Sequence, residues 1–299
     1  MTICPFGGGG QFGSGFAPEG PLAASTYARA YWHPEAVRQA RQNPGRLIDS
    51  QGSYRDGSGV LPKTILGMCD VGKQGSYEVA EHHFSSARLH HYLVAAGGDR
   101  DLAHALYVWN SQLAAAFFAD LGHLEVAVRN ALDERMTMRH QSAGHPGSWL
   151  DDPTGALGRD LINARPRHRQ PYRDIDRARR RVHDNGKPLD HGQIISETSL
   201  GLWHQLVSKR FASSLWPDLA GAFPHAPSRN RALVADRLEA LRDLRNRIGH
   251  HHRIWNLPCE GLQVQLQELA GYIDPDLATW IEASSSLSRT LARSPLTVP

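Results

Sequence analysis

Three residues in one leucine-rich stretch have the side chains needed to break a phosphodiester bond. Arg245, Asn246 and His250 form the pattern Arg-Asn-x-x-x-His, with the histidine five positions after the arginine. A guanidinium can hold and neutralise a phosphate. An imidazole can move a proton near neutral pH, because its unperturbed pKa is about 6.5. The amide of Asn246 can orient either group or bind the substrate, so the pattern indicates RNA cleavage that needs no metal ion.

A structural interpretation of Arg245 competes with this one. The surrounding apolar residues follow helical spacing and predict one buried stripe, and Arg245 falls within it at about 40° from Leu241. A guanidinium on a packing face needs an anionic partner, which is either a carboxylate of the protein or an RNA phosphate. The stripe consists of Val234, Leu238, Leu241, Leu244 and Ile248.

The helix geometry places the two candidate catalytic residues apart. His250 would lie about 140° around an ideal helix from Arg245. Two arrangements bring them together. Gly249 can end the helix in a left-handed conformation and free His250 to turn back, or Arg245 and His250 can act from different subunits of a dimer.

Further motifs precede this pattern in a fixed order. They are Tyr107-Val-Trp-Asn110, Leu124-Glu-Val-Ala-Val-Arg-Asn-Ala-Leu132, Ser199-Leu-Gly-Leu-Trp-His-Gln-Leu206, Leu215-Trp-Pro217 and Ala222-Phe-Pro224, followed by Leu244 to Trp255. Over roughly residues 76–280 this order and spacing resemble the Abi-like abortive-infection proteins of the HEPN superfamily. Where that family has Glu-Pro after its two histidines, this chain has His252 and Arg253. His252 also fits a longer Arg-x6-His spacing.

The resemblance implies an all-α, HEPN-type helical bundle that forms a homodimer. It implies a metal-independent endoribonuclease without a cofactor, acting in phage defence or as a toxin with an antitoxin partner, and it assigns catalysis to Arg245, Asn246 and His250. We expect His251 and a second group, Glu125, Arg129 and Asn130, to support that site. Glu125 and Arg129 are also spaced to form an ordinary ion pair across one helical turn.

An arginine-rich run is the second feature suited to RNA. Arginines that contact phosphates release counterions, so binding through them weakens with salt. A solvated helix face is the alternative interpretation. The candidate RNA-binding residues are Arg165, Arg167, Arg169, Arg173, Arg177 and Arg180.

Composition limits the other possibilities. The net charge of +3 is mild, and 40% of the residues are hydrophobic and 21% charged, as in a globular protein. Cys4, Cys69 and Cys259 are odd in number and far apart, which predicts no disulfide framework. We expect neither a membrane span nor a secretory signal, and therefore a cytoplasmic protein.

Three segments are predicted. Residues 1–67 are rich in glycine, and we expect either a disordered extension or the result of a start codon assigned too early. Residues 76–285 form the helical domain, and residues 286–299 form a C-terminal tail. The predicted elements are a helix over 79–93, a long helix capped by Asp99 or Asp101, a buried helical segment over 198–219, a helix capped by Ser228, and two further helices.

Two other functions fit the sequence. The chain can be a non-catalytic module that binds RNA or protein on the same scaffold. Alternatively, His250, His251 and His252 can contribute to a metal site. Adjacent histidines point about 100° apart on a helix, which makes the metal site the weakest of these interpretations.

Overall fold

The computed structural model describes residues 47–48, 54–55 and 76–296. The chain divides into two compact units, residues 1–70 and 71–299. In the first unit β1 (Leu47–Ile48) pairs antiparallel with β2 (Tyr54–Arg55), with Leu47 opposite Arg55 and Ile48 opposite Tyr54. No strand was predicted in this part of the chain. Apart from these four residues, the segment 1–67, which was predicted to be disordered or wrongly assigned, lies outside the described part of the chain.

The second unit is built from α-helices, which confirms the predicted all-α class for residues 76–296. The helices are α1 (Ser76–Phe84), α2 (Ser86–Ala95), α3 (Arg100–Ser142), α4 (Tyr172–Asp184), α5 (His191–Ser196), α6 (Leu200–Leu206), α7 (Trp216–Leu219), α8 (Arg231–Gly249), α9 (Cys259–Ile273), α10 (Pro275–Ser284) and α11 (Leu287–Leu291). Short 3-10 turns lie at Trp149–Asp151, Lys209–Phe211, Ala220–Ala222 and Pro227–Arg229.

The long helix α3 is the centre of the bundle. Asp99 caps it by accepting a hydrogen bond from the N–H of Leu102 at 3.0 Å, which confirms the first of the two predicted caps. The helix continues through Gly122 without a break over its 43 residues. Helices α1, α2, α6, α7, α8, α9 and α11 all pack against it. Its apolar face, which follows helical spacing, is buried and includes Leu106, Leu113, Phe117 and Val128.

Three predicted elements differ from the structure. The single helix expected over 79–93 is two helices, because Ser85 adopts φ 71° and caps α2. The segment 198–219 is divided into α6, a 3-10 turn and α7, and Trp216-Pro217 begins α7 rather than ending a helix. The cap of α8 is Asn230, which accepts from the N–H of Ala232 at 2.9 Å, and not Ser228.

Helical structure also extends past residue 285, where the tail was expected to begin. Leu287 in α11 is fully buried, and the indole N–H of Trp109 in α3 donates to the carbonyl of Thr290 at 2.7 Å. Burial of Leu287 and this hydrogen bond explain why α11 packs on the bundle. Among the described residues, the helices are all too short or too polar to cross a membrane.

Candidate functional site

The end of α8 forms a tight turn that orients three consecutive histidines. His250 is the last residue before the chain leaves the helix, and His251 has a left-handed backbone with φ 53°. The N–H of His251 donates to Ile248 at 2.9 Å, and that of His252 donates to Arg247 at 2.8 Å. This is the Schellman arrangement. The helix therefore ends where predicted, but the left-handed residue is His251 and not Gly249.

Arg245 faces the central helix, where it meets the carboxylate that the sequence allowed as its partner. Its Nε lies 3.8 Å from Oε2 of Glu125, and the two side chains are 38% and 18% exposed. The other oxygen of Glu125 accepts a hydrogen bond from the N–H of Leu200 at 3.0 Å. Nε of Arg245 is itself buried without a hydrogen-bond partner in the described structure. This long contact leaves the guanidinium only partly satisfied by the protein.

Two other predicted supporting residues, Arg129 and Asn130, lie on the same helix as Glu125. Arg129, one turn after Glu125, donates to the carbonyl of Ser196 at 3.1 Å at the end of α5. Asn130 is exposed on the same helix, as Asn246 is on α8. Glu125 and Arg129 thus hold the α5–α6 junction against α3, next to Arg245.

His250 lies in different surroundings from Arg245. It is exposed at the end of α8, and its ring centroid is 5.8 Å from that of His252. His252 in turn lines an open groove of about 440 Å³ between α2 and the turn after α8. The structure therefore associates His250 with the histidines of the turn, and Arg245 with the carboxylate of α3.

We call this cavity the Arg/His groove. Its charged and titratable lining consists of Arg88, His91, Arg247, His251, His252 and Arg253, and the remaining lining residues are Ala87 and Tyr92. No carboxylate lines it among the described residues. Burial raises the pKa of Tyr92 to about 12, so the phenol stays neutral and can donate a hydrogen bond. Such a lining favours anions.

The groove is held together by arginine contacts to backbone carbonyls. Arg88 of α2 donates to the carbonyl of His251 at 2.8 Å. Arg247 donates through Nη2 to the carbonyl of Arg253 at 3.0 Å, while its buried Nε has no hydrogen-bond partner among the described residues. Both arginines retain further N–H groups that can donate hydrogen bonds to a phosphate.

Two features of the groove were missed in the sequence. Arg247 and His252 repeat the Arg-x4-His spacing of Arg245 and His250, so this second pair could have been predicted from the sequence. The contribution of Arg88 and His91 was not readable, because α2 lies far from α8 along the chain and only the fold brings the two together.

The arginine-rich run lies partly on α4 and partly on the loop before it. Arg177 and Arg180 pair with Asp174 and Asp176 at 3.3 and 3.0 Å, as expected for a solvated helix face. The other four candidates are exposed and have no acidic partner among the described residues: Arg165, Arg167, Arg169 and Arg173.

Asp160 organises the loop that carries the first three of these arginines. Its carboxylate accepts from the backbone N–H of Ile162 and of Arg167, each at 3.1 Å, and from the side chain of Asn163 at 2.6 Å. These hydrogen bonds, led by that of Asn163, lower the pKa of Asp160 to about 2. The carboxylate therefore stays ionised, and able to accept these hydrogen bonds, over the physiological pH range.

Within the described residues, no three His, Cys, Asp or Glu side chains are grouped so as to hold a metal ion. Comparisons of the chain with protein-family models, with curated proteins and with solved structures find no match.

Proposed function

We propose that this protein is an endoribonuclease that cleaves RNA without a metal ion, and that it acts in phage defence or as a toxin restrained by an antitoxin. The observation that supports this most directly is the Arg/His groove at the end of α8. Guanidinium groups and imidazoles line it together, and no carboxylate is among its lining residues. This is the combination that binds a phosphodiester and moves protons at neutral pH.

The reaction uses the 2′-hydroxyl of the RNA as the nucleophile. A neutral imidazole of the turn, His250 or His252, accepts the proton of that hydroxyl as its oxygen attacks the adjacent phosphorus. An arginine stabilises the charge that builds on the phosphoryl oxygens. The leaving 5′-oxygen takes a proton from solvent water, and the imidazolium returns its proton to the solvent. The products carry a 2′,3′-cyclic phosphate and a 5′-hydroxyl.

Two arginine–histidine pairs of the same spacing are candidates for this chemistry. Arg245 and His250 are the pair assigned by the Abi-like resemblance. Arg247 and His252 line one groove together. In the second case Arg245 has a positioning role, since its contact with Glu125 fixes the C-terminal half of α8 against α3.

A homodimer is part of this proposal, and α3 has a surface suited to it. Phe118 and Val126 are 54% and 45% exposed on one side of the helix. Gly122 lies between them and is exposed. Trp280 of α10 extends the apolar surface, because it is 54% exposed and packs edge-on against His123 of α3. A second copy seated on this stripe would border the side of α3 that carries Glu125 and Arg129.

The test is RNA cleavage by purified protein and four single variants: Arg245→Ala, His250→Ala, Arg247→Ala and His252→Ala. Loss of the proton-accepting histidine should slow cleavage by about 100-fold or more, and loss of the phosphate-binding arginine by about 100-fold. The arginine variant and the histidine variant that both lose cleavage activity identify the catalytic pair. His90→Ala is the matched control, because His90 is exposed on α2 and does not line the groove. EDTA should leave the wild-type rate unchanged.

A non-catalytic RNA-binding module is the second candidate. It is favoured by the pairing of Arg245 with Glu125 and by the separate surroundings of His250. Tight RNA binding by the wild-type protein, with no cleavage and no effect of the two histidine substitutions, would support this module and contradict the nuclease.

A further inference from the structure

A second cluster of reactive side chains lies on the other half of the bundle. It joins Asp133 of α3, Ser148 in the loop after α3, and His191, the first residue of α5. Oγ of Ser148 lies 2.8 Å from Nδ1 of His191. Nε2 of the same ring lies 2.9 and 3.1 Å from the two oxygens of Asp133. Serine, imidazole and carboxylate thus form one continuous chain of hydrogen bonds.

The hydrogen bonds define the direction of every proton among these three groups. An ionised carboxylate only accepts hydrogen bonds, so Nε2 of His191 carries a proton and donates it to Asp133. In the neutral ring Nδ1 is then the acceptor, and the Ser148 hydroxyl must donate to it. Oγ also accepts a hydrogen bond from the N–H of Leu150 at 3.1 Å. This is the proton arrangement of an activated serine, with the two ring nitrogens exchanged relative to the usual triad.

Asp133 is held in place by a second donor. The indole N–H of Trp149 donates to its Oδ1 at 2.7 Å. The Asp133 and His191 side chains are 21% and 35% exposed. The carboxylate is therefore oriented from two sides, while the ring remains accessible to a substrate.

The cluster opens onto a cavity of about 700 Å³, whose lining includes Glu134, Thr137, Met138 and Gly147. No arginine or lysine is among the lining residues. Acidic groups without a lining arginine or lysine disfavour a phosphodiester, in contrast to the Arg/His groove. A neutral or cationic substrate fits this lining better.

We propose that Ser148, His191 and Asp133 form a serine hydrolase site for uncharged carboxylic esters, separate from the RNA site. Oγ of Ser148 attacks the ester carbonyl carbon while its proton passes to Nδ1 of His191. The tetrahedral intermediate collapses, the alcohol leaves with that proton, and an acyl-serine remains. Water then gives a proton to His191 and attacks the acyl carbon, which releases the acid and returns the proton to Ser148. The N–H of Trp149, the residue after the nucleophile, is the donor that we assign to the developing oxyanion.

A fluorophosphonate probe tests the nucleophile, since it reacts with an activated serine and not with ordinary hydroxyls. We expect one adduct on the wild-type protein, mapped to Ser148 by peptide mass spectrometry, and hydrolysis of p-nitrophenyl butyrate. Both should be lost in Ser148→Ala. They should also be lost in Ser148→Asn, which retains a side-chain oxygen for the N–H of Leu150 and so keeps the turn folded. Ser142→Ala is the control, because Ser142 is exposed at the end of α3.

Asp133 is a positioning residue, and its test separates kcat from KM. Replacing it with asparagine keeps the size of the side chain but removes the carboxylate that accepts from Nε2 of His191, so in Asp133→Asn kcat for the ester should fall about tenfold or more while KM changes little. A folded wild-type protein without an adduct on Ser148, or with equal ester hydrolysis by Ser148→Asn, would overturn the proposal. RNA cleavage should be unchanged in Ser148→Asn, so the two sites are judged separately.

Discussion

His251 occupies a backbone conformation that side chains other than glycine adopt at a cost. Its φ of 53° is in the left-handed region, at the position after a helix where glycine is preferred. The cost for an L-residue there is about 1–2 kcal/mol. The strained turn places the imidazoles of His251 and His252 in the same groove as Arg247.

Replacing His251 with glycine should relieve this strain without changing the turn. We expect His251→Gly to raise the free energy of unfolding by about 0.5–1 kcal/mol. The backbone strain that is relieved at this φ is larger than the extra conformational entropy that glycine loses on folding. His251→Val should lower it by about 1 kcal/mol, since a β-branched side chain fits this conformation poorly. Urea denaturation of the three proteins measures the difference. A less stable His251→Gly protein would mean that the histidine side chain itself holds the turn.

Part of the candidate site could be predicted from single residues. The apolar stripe of α8 placed Arg245 on a packing face, and this position required an anion. The anion in the structure is Glu125, one of the residues predicted to lie near it. The sequence could not predict the groove, because Arg88 reaches the carbonyl of His251 across the fold, and such pairing has no local signal.

At the scale of elements, the loop before α4 depends on one glycine. Gly158 has φ 104°, and a Cβ added there would lie 2.9 Å from the carbonyl oxygen of Arg169. Arg169 in turn donates its N–H to the carbonyl of Gly158 at 2.9 Å. The close backbone approach and the positive φ together exclude a side chain at this position.

Gly158→Ala should therefore destabilise the protein by about 1–3 kcal/mol and loosen the loop that carries Arg165, Arg167 and Arg169. Thermal unfolding measures the first effect, and faster trypsin cleavage after these arginines measures the second. Gly192→Ala, within helix α5, is the control. Its Cβ would lie 3.6 Å from the nearest atom, Oδ1 of Asp190, which is an ordinary contact distance. Equal stability of the two variants would contradict this account of the loop.

The contact between α6 and α8 should make stability depend on pH. Burial and, secondly, the charge of Arg242 lower the pKa of His204 below its ordinary value of 6.5. Arg242 donates to Nδ1 of His204 at 2.7 Å, which requires the neutral ring. Between that lowered pKa and about pH 6.5, the unfolded chain binds a proton at His204 that the folded protein does not. The free energy of unfolding therefore falls as the pH decreases through this range.

His204→Gln should reduce this dependence, because glutamine can accept from Arg242 and does not titrate. We expect the difference between urea midpoints at pH 7.5 and pH 5.0 to be smaller in His204→Gln than in the wild-type protein. His90→Gln, at an exposed position of α2, is the matched control. An unchanged difference in His204→Gln would show that other groups cause the acid sensitivity.

The helices themselves were predicted better than their ends. The apolar period of α3 and α8 identified the faces that are buried in the core, because burial follows directly from the spacing of apolar residues. The breaks at Ser85 and after Leu206 were missed, since both depend on how the flanking helices pack. The predicted cap of α8, Ser228, was wrong for a similar reason: Ser228 and Asn230 are both good caps by residue type, and the local backbone conformation selects Asn230.

At the scale of the whole molecule, the proposed dimer can be tested by placing a charge on its surface. Val126→Glu puts a carboxylate on the exposed apolar stripe of α3. We expect it to convert a dimer into a monomer in light scattering coupled to gel filtration. Ile162→Glu, on an exposed loop residue outside the stripe, should leave the dimer intact. A monomeric wild-type protein would contradict the dimer.

The central claim is that this chain cuts RNA through 2′-hydroxyl attack, and the chemistry of the cut ends tests it most directly. The wild-type protein and the double variant His250→Ala/His252→Ala are each expressed from an inducible promoter, and cellular RNA ends are then mapped. We predict new 5′-hydroxyl ends, with matching 2′,3′-cyclic phosphates, that accumulate with the wild-type protein and are absent with the double variant. Equal accumulation with both proteins, or new ends that carry 5′-phosphates, would contradict the account.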